Sequence, residues 1–210
     1  MADESSPAPK DKSTTGRRGF FREGLRQMLG PIADFVEQKV PDVVPAKHTD
    51  YTPPRGRSLL RPPGASPEQQ FLDNCYRSGN CIESCPVEAI KVYQSDDSQL
   101  SGTPYIDPDI TACVACDAVY CSHACPSGAL SVIHDPSEIR IGLAEPNEYH
   151  CLRNTGEDCE ICVEKCPIGS SAIHIDDDGR VRVLETGCVG CGVCQQHCPT
   201  SPKAIIVDPL

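Results

Sequence analysis

Cys188-Val189-Gly190-Cys191-Gly192-Val193-Cys194-Gln195-Gln196-His197-Cys198-Pro199 decides how the rest of this 210-residue chain is read. Three cysteines separated by two residues each, then a fourth after three more and followed by proline, form the bacterial-ferredoxin run for a [4Fe–4S] cluster. The short loops let three thiolates wrap one face of a cubane, while the fourth, followed by proline, points away to a neighbouring cluster. Gly190 and Gly192 permit the backbone to curl with its N–H groups toward the sulfides. Zinc prefers two separated Cys-x2-Cys knuckles closing a tetrahedron, and four cysteines within eleven residues do not supply that geometry.

Working outward, the run recurs with insertions. Cys113-x2-Cys116-x4-Cys121-x3-Cys125-Pro126 and Cys151-x7-Cys159-x2-Cys162-x3-Cys166-Pro167 keep four cysteines and the Cys-Pro ending, since a loop between two ligands lengthens at little entropic cost. The first group, Cys75-x5-Cys81-x3-Cys85-Pro86, carries Ser78 where a thiolate is expected, so sixteen ligand positions less this one give the 15 cysteines present. All 15 are metal-ligand candidates. They lie in tight groups between Cys75 and Cys198 and are odd in number, which excludes a framework of disulfide staples. Ser78 is a weak or missing ligand, because a hydroxyl is a harder and far less acidic donor than a thiol. The reading is three [4Fe–4S] clusters and a fourth site that is [4Fe–4S] or [3Fe–4S], with an empty site as the remaining outcome. His123 and His197 sit inside the cysteine loops, but every slot except one already has its cysteine, so neither is read as a ligand.

Charge and proline divide the chain near residue 70. Residues 1–70 hold 11 basic and 9 acidic side chains of the totals of 19 and 30, leaving a net −13 for residues 71–210. Such acidity repels nucleic acid and calls for a partner with a basic docking patch. No run of 18 apolar residues is present. Residues 1–16 have the composition of a disordered tail. Over 17–40, Phe21, Leu25, Met28, Ile32, Phe35 and Val36 recur at helical spacing and predict an amphipathic helix broken at Pro31, and the seven prolines of 41–70 predict an extended strap. Residues 71–210 form the four-motif domain, an α+β ferredoxin-like body of short helices and β-hairpins around the clusters. Strands are expected over 89–93, 129–134, 172–176 and 204–208, with partners over 104–107, 139–144 and 180–184. Asp177-Asp178-Gly179 predicts a hairpin turn, and one acidic run without a second ligand group makes a poor calcium site.

Leu60-Arg61-Pro62-Pro63-Gly64-Ala65 ahead of Phe71, the stretched second motif ending Cys125-Pro126-Ser127-Gly128-Ala129-Leu130, and the long gap from Cys151 to Cys159 resemble the ferredoxin-type accessory proteins of periplasmic nitrate reductase and methylamine utilisation, the NapG/MauM type. That resemblance implies four cubane clusters, electron transfer between a redox donor and an acceptor, and a membrane quinol-oxidising protein as a partner. Spacing alone leaves the pairing of the groups open. Resemblance to four-cluster electron-transfer subunits implies that the first and fourth groups share clusters, as do the second and third. Cys198 then joins Cys75 and Cys81, Cys85 joins Cys188, Cys191 and Cys194, Cys166 joins Cys113, Cys116 and Cys121, and Cys125 joins Cys151, Cys159 and Cys162.

No Ser-His-Asp grouping or phosphate loop is evident, so the chain reads as an electron carrier and not an enzyme. The alternatives are an iron–sulfur maturation, scaffold or sensing protein, and a zinc-ribbon binding module. Arg17-Arg18-Gly19-Phe20-Phe21-Arg22 resembles a twin-arginine export signature, but Glu23, Arg26, Asp34 and Glu37 interrupt the apolar stretch that export needs. A cytoplasmic protein is therefore expected, with periplasmic export as the alternative.

Overall fold

The computed structural model describes residues 59–210. The tail, the amphipathic helix and most of the proline strap lie outside the described residues. Among the described residues no helix is long and apolar enough to cross a membrane.

Among the described residues, five short α-helices and six strands organise the body. Helix α1, Glu68–Asn74, follows Pro67 and buries Phe71 completely. The others, α2 (Asn80–Glu83), α3 (Tyr120–His123), α4 (Ile161–Glu164) and α5 (Val193–His197), are about one turn each. Helices this short are not stable by propensity, so they exist because the surrounding packing holds them. Each carries the cysteine at the third ligand position of its group, Cys81, Cys121, Cys162 and Cys194. Three of them open on a left-handed residue, Gly79, Val119 and Gly192, with φ of 82°, 37° and 85°.

The strands make three separate antiparallel pairs. β1 (Ile90–Val92) pairs with β2 (Pro104–Ile106), and β4 (Ile173–Ile175) pairs with β5 (Val181–Val183) across the expected Asp-Asp-Gly turn. Gly179 there has φ 77°. One Asp176 carboxylate oxygen accepts the N–H groups of Asp178 and Arg180 at 3.0 and 2.8 Å, and the other accepts from Arg182 Nε at 2.6 Å. The Asp176 carboxylate thus serves its own turn.

β3 (Gly142–Pro146) pairs with β6 (Ile205–Pro209), Gly142 opposite Pro209 and Pro146 opposite Ile205. This corrects two expectations. The segment 129–134 forms no strand, and the segment expected to partner it supplies β3, which serves β6 instead. The cause lies upstream: Leu130 bridges to Ala65, Ser131 N–H donates to the Gly64 carbonyl at 2.7 Å, and Ile133 N–H donates to the buried Ser122 hydroxyl at 3.2 Å. The Arg-Pro-Pro-Gly-Ala segment therefore takes the edge that a hairpin would have used. Gly64 fits this contact because it has φ 85° and its backbone lies so close that a Cβ would come within 2.2 Å of the Ser131 carbonyl oxygen.

Arg61 anchors the same segment. It is 6% exposed, donates to Glu68 at 3.0 Å, to the Thr103 hydroxyl at 2.9 Å and to the Pro104 carbonyl at 2.9 Å, and its guanidinium lies 4.7 Å from the Phe71 ring centroid. The apolar core is thin and aliphatic: Phe71, Ile90, Ile106, Val119, Ile139 and Ile141 in the first half, Ile173, Val189, Val193, Ile205 and Val207 in the second, with cysteines interleaved throughout. A polar clamp joins the halves. Cys113 N–H donates to the Cys191 carbonyl at 2.9 Å. Gln196 accepts from Ala112 N–H at 3.1 Å, and buried Gln195 accepts from Val207 N–H at 2.8 Å while donating to Asp109 at 3.0 Å.

Candidate iron–sulfur sites

The thiols gather around four cavities. Cys75, Cys81 and Cys125 line the first together with Ser78. Cys85, Cys113, Cys116 and Cys121 line the second. Cys166, Cys188, Cys191 and Cys194 line the third, and Cys151, Cys159, Cys162 and Cys198 the fourth. Every cysteine is used once, and all 15 are free thiols.

The pairing implied by four-cluster subunits is thereby corrected. Group one shares with group two, and group three with group four. Cys125 returns to Cys75 and Cys81, Cys85 goes forward to Cys113, Cys116 and Cys121, Cys166 goes forward to Cys188, Cys191 and Cys194, and Cys198 returns to Cys151, Cys159 and Cys162. The packing explains it: α2 lies against α3 and α4 against α5, so each Cys-Pro ending, leaving its helix, enters the site of the adjacent helix.

The sites run in file. Burial pushes the Cys121 thiol up to about 12, and its neighbours include Cys81 of the first site as well as Cys116 and Cys85 of its own. Burial likewise lifts Cys113 to about 12, with Cys191 of the third site beside it. Cys194 is raised by burial and by nearby thiols that include Cys162 of the fourth site. First is thus within electrostatic reach of second, second of third, and third of fourth.

Two cysteines go the other way. For Cys125 burial still pulls upward, but the Ser127 hydroxyl and the N–H groups of Leu130, Ser127 and Gly128 outweigh it and lower the thiol. For Cys198 burial is outweighed by the Thr200 hydroxyl, the N–H groups of Thr200 and Ala204, and the Lys203 charge. The Cys198 to Thr200 contact is 3.2 Å, and the N–H groups of Ala89, Ala115 and Ala204 reach the sulfurs of Cys85, Cys113 and Cys198 at 3.3, 3.4 and 3.4 Å. Such hydrogen bonds favour the thiolate form and tune cluster potential.

The donor set fits iron–sulfur clusters. Soft thiolates face one another across cavities walled by Ile, Val, Ala and Pro. Among the described residues no three His, Cys, Asp or Glu side chains close on one metal ion; a cluster instead spreads its thiolates over separate irons.

His123 and His197 stay out of the cavities, as expected. His123 Nε2 lies 3.0 Å from the Ile133 carbonyl and His197 Nδ1 lies 3.1 Å from the Val193 carbonyl, both rings being exposed. Sequence reasoning missed Lys203 and the hydroxyls of Ser127 and Thr200. The signal for the hydroxyls was present, since Cys-Pro-Ser and Cys-Pro-Thr place one two residues past the cysteine.

A model of the 4Fe-4S dicluster domain matches residues 74–129 and again 157–201, the first span holding every thiol of the first two sites and the second every thiol of the other two except Cys151. The chain is 37% identical over 202 residues to the methylamine utilization ferredoxin-type protein MauM of Methylophilus methylotrophus, covering 91% of this chain and 85% of that one. With MauM of Paracoccus denitrificans it shares 38% over 162 residues, 71% of each chain. With the ferredoxin-type protein NapG of Escherichia coli it shares 31% over 211 residues, 95% of this chain and 88% of the other. The chain belongs to the MauM and NapG family of ferredoxin-type proteins, and it is an electron carrier, not an enzyme, that works through [4Fe–4S] clusters.

Proposed function

We propose that the chain is a linear relay of four cluster sites, entered at one end and left at the other. The file of thiol sets, from Cys75, Cys81 and Cys125 through to Cys151, Cys159, Cys162 and Cys198, carries this reading. When bound, the clusters supply one-electron chemistry over a range of about −700 to +450 mV. The residues around them do the rest: aliphatic walls exclude water, and N–H donors and Lys203 stabilise negative charge on the sulfurs. An uninterrupted file favours conduction over a maturation, scaffold or sensing role, which needs no such continuity. Stopped-flow reduction with iron counting tests it: all sites should fill and reduce reversibly within turnover times, and sites that fill but never reduce would return the scaffold reading.

The two terminal sites are where redox partners meet the relay. Tyr76, which lines the first cavity, is 74% exposed, and Tyr149, two residues before Cys151, is 90% exposed. The acidic body suits a partner with a basic docking patch, and a membrane quinol-oxidising protein fits as donor. For location the charged residues after Arg17-Arg18 favour retention in the cytoplasm, and a shortened form in the periplasmic fraction would overturn this in favour of twin-arginine export.

A further inference from the structure

Three of the four cavities offer four thiols. The first offers three thiols and the Ser78 hydroxyl.

Ser78 occupies a ligand corner by backbone as well as by spacing. Arg77 before it and Gly79 after it have φ of 54° and 82°. Gly190 and Gly192, which flank Cys191 in the fourth motif, have φ of 70° and 85°, and Ala115 before Cys116 has φ 47°. The loop is thus wound as a ligand loop, and at Arg77 it holds a left-handed conformation that a non-glycine residue adopts only when its surroundings enforce it. What enforces it is visible: Arg77 donates to the carbonyls of Gln99, Ser101 and Ser98 at 2.8, 3.0 and 3.3 Å. Ser78 stands beside the clamped Arg77 at the rim, exposed to solvent while lining the cavity.

We propose that the cluster held by Cys75, Cys81 and Cys125 has one open corner at Ser78, where a single iron exchanges with solution. This rests on the reading that the cavities hold clusters. An alcohol is far less acidic than a thiol, so at neutral pH the hydroxyl keeps its proton and binds ferrous iron weakly, while the other three irons keep their thiolates. Oxidative loss of that iron leaves a three-iron cluster. Its return is balanced by [3Fe–4S]+ plus Fe2+ plus one electron giving [4Fe–4S]2+, the electron coming from a low-potential reductant such as dithionite. Because this site ends the file and faces outward, the exchange leaves the other three sites untouched, and water or a small anionic ligand has access to the corner.

Isotopically labelled iron tests this on the full chain. After brief ferricyanide treatment, the protein should show the paramagnetic resonance of about one oxidised three-iron cluster and hold about 15 irons against about 16 before treatment. Labelled Fe2+ with dithionite should then enter to about one per chain, read by Mössbauer spectroscopy. Ser78→Cys should abolish both the three-iron signal and the uptake, and Ser78→Ala should keep both. Equal resistance of wild type and Ser78→Cys, with all irons retained and no label taken up, would overturn the open corner. Failure of the underlying reading looks different: Ser78→Cys would then also lack iron at this site, and Cys75, Cys81 and Cys125 would react as free thiols.

Discussion

Lys203 shows how one side chain sets the terms of electron transfer at an end of the relay. Its ammonium is fastened to the carbonyls of Cys198 and Gln196 at 2.7 and 3.2 Å, beside the thiol that completes the fourth site. A fixed positive charge stabilises a cluster more after it has gained an electron. Lys203→Met should therefore lower the midpoint potential of that site, by about 40 mV if the charge contributes about 1 kcal/mol at this half-buried position. A redox titration followed by paramagnetic resonance measures it, and an unchanged potential would show that solvent screens the charge fully. The cysteines themselves were legible because ligand spacing is local. Lys203 was not, because its neighbour Cys198 is five residues away and the contact exists only once the chain has turned after Pro199.

At the scale of elements, glycine and arginine fix where the ligand loops can lie. Gly190 backs onto Gly142 at the head of β3 so closely that a Cβ would stand 2.2 Å from the Gly142 nitrogen, and its φ is 70°. Gly190→Ala should cost more than about 2 kcal/mol, from the clash and the left-handed backbone together, and should bleach the third site first on heating. Arg61→Met leaves Thr103 and the Pro104 carbonyl short of a donor and Glu68 short of its cation. Breaking such a pair costs about 3–5 kcal/mol when both partners are buried, and about 2–3 here because Glu68 is 31% exposed. Denaturant melts of the cluster-loaded protein read this directly. Elements were partly legible. The β4–β5 hairpin followed from Asp-Asp-Gly, whereas 129–134 has the β-branched pattern of a strand and forms none, since nothing in that pattern reveals that Gly64 and Ala65 will occupy its edge.

At the scale of the molecule, thiols and iron are one thermodynamic system. Burial holds Cys113 and Cys121 at about 12, so the metal-free fold keeps protons that cluster ligation must displace. A raised thiol pKa makes thiolate scarcer at neutral pH, so the rate of cluster reconstitution should climb between pH 7 and 9. A pH-stat should register proton release as iron enters. The net charge of −11 makes the second whole-molecule prediction: association with the redox partner should slow several-fold between about 50 and 200 mM salt, as the screening length shrinks. Salt-independent stopped-flow rates would mean that apolar contact, not steering, governs the encounter. The order of the sites was the least legible feature. It depends on α2 packing against α3 and α4 against α5, and four groups at similar intervals are compatible with either pairing.

Pairing by neighbours sets a timetable for synthesis. By the time residue 125 has left the ribosome, all the thiols of the first two sites are available, whereas the last two wait for Cys188 to Cys198, and β3 waits for residues 205–209 to cover it. The leading half is ready for iron while the trailing half is still being translated. Arrested nascent chains ending near residue 160 should therefore already bind the iron of the first two sites.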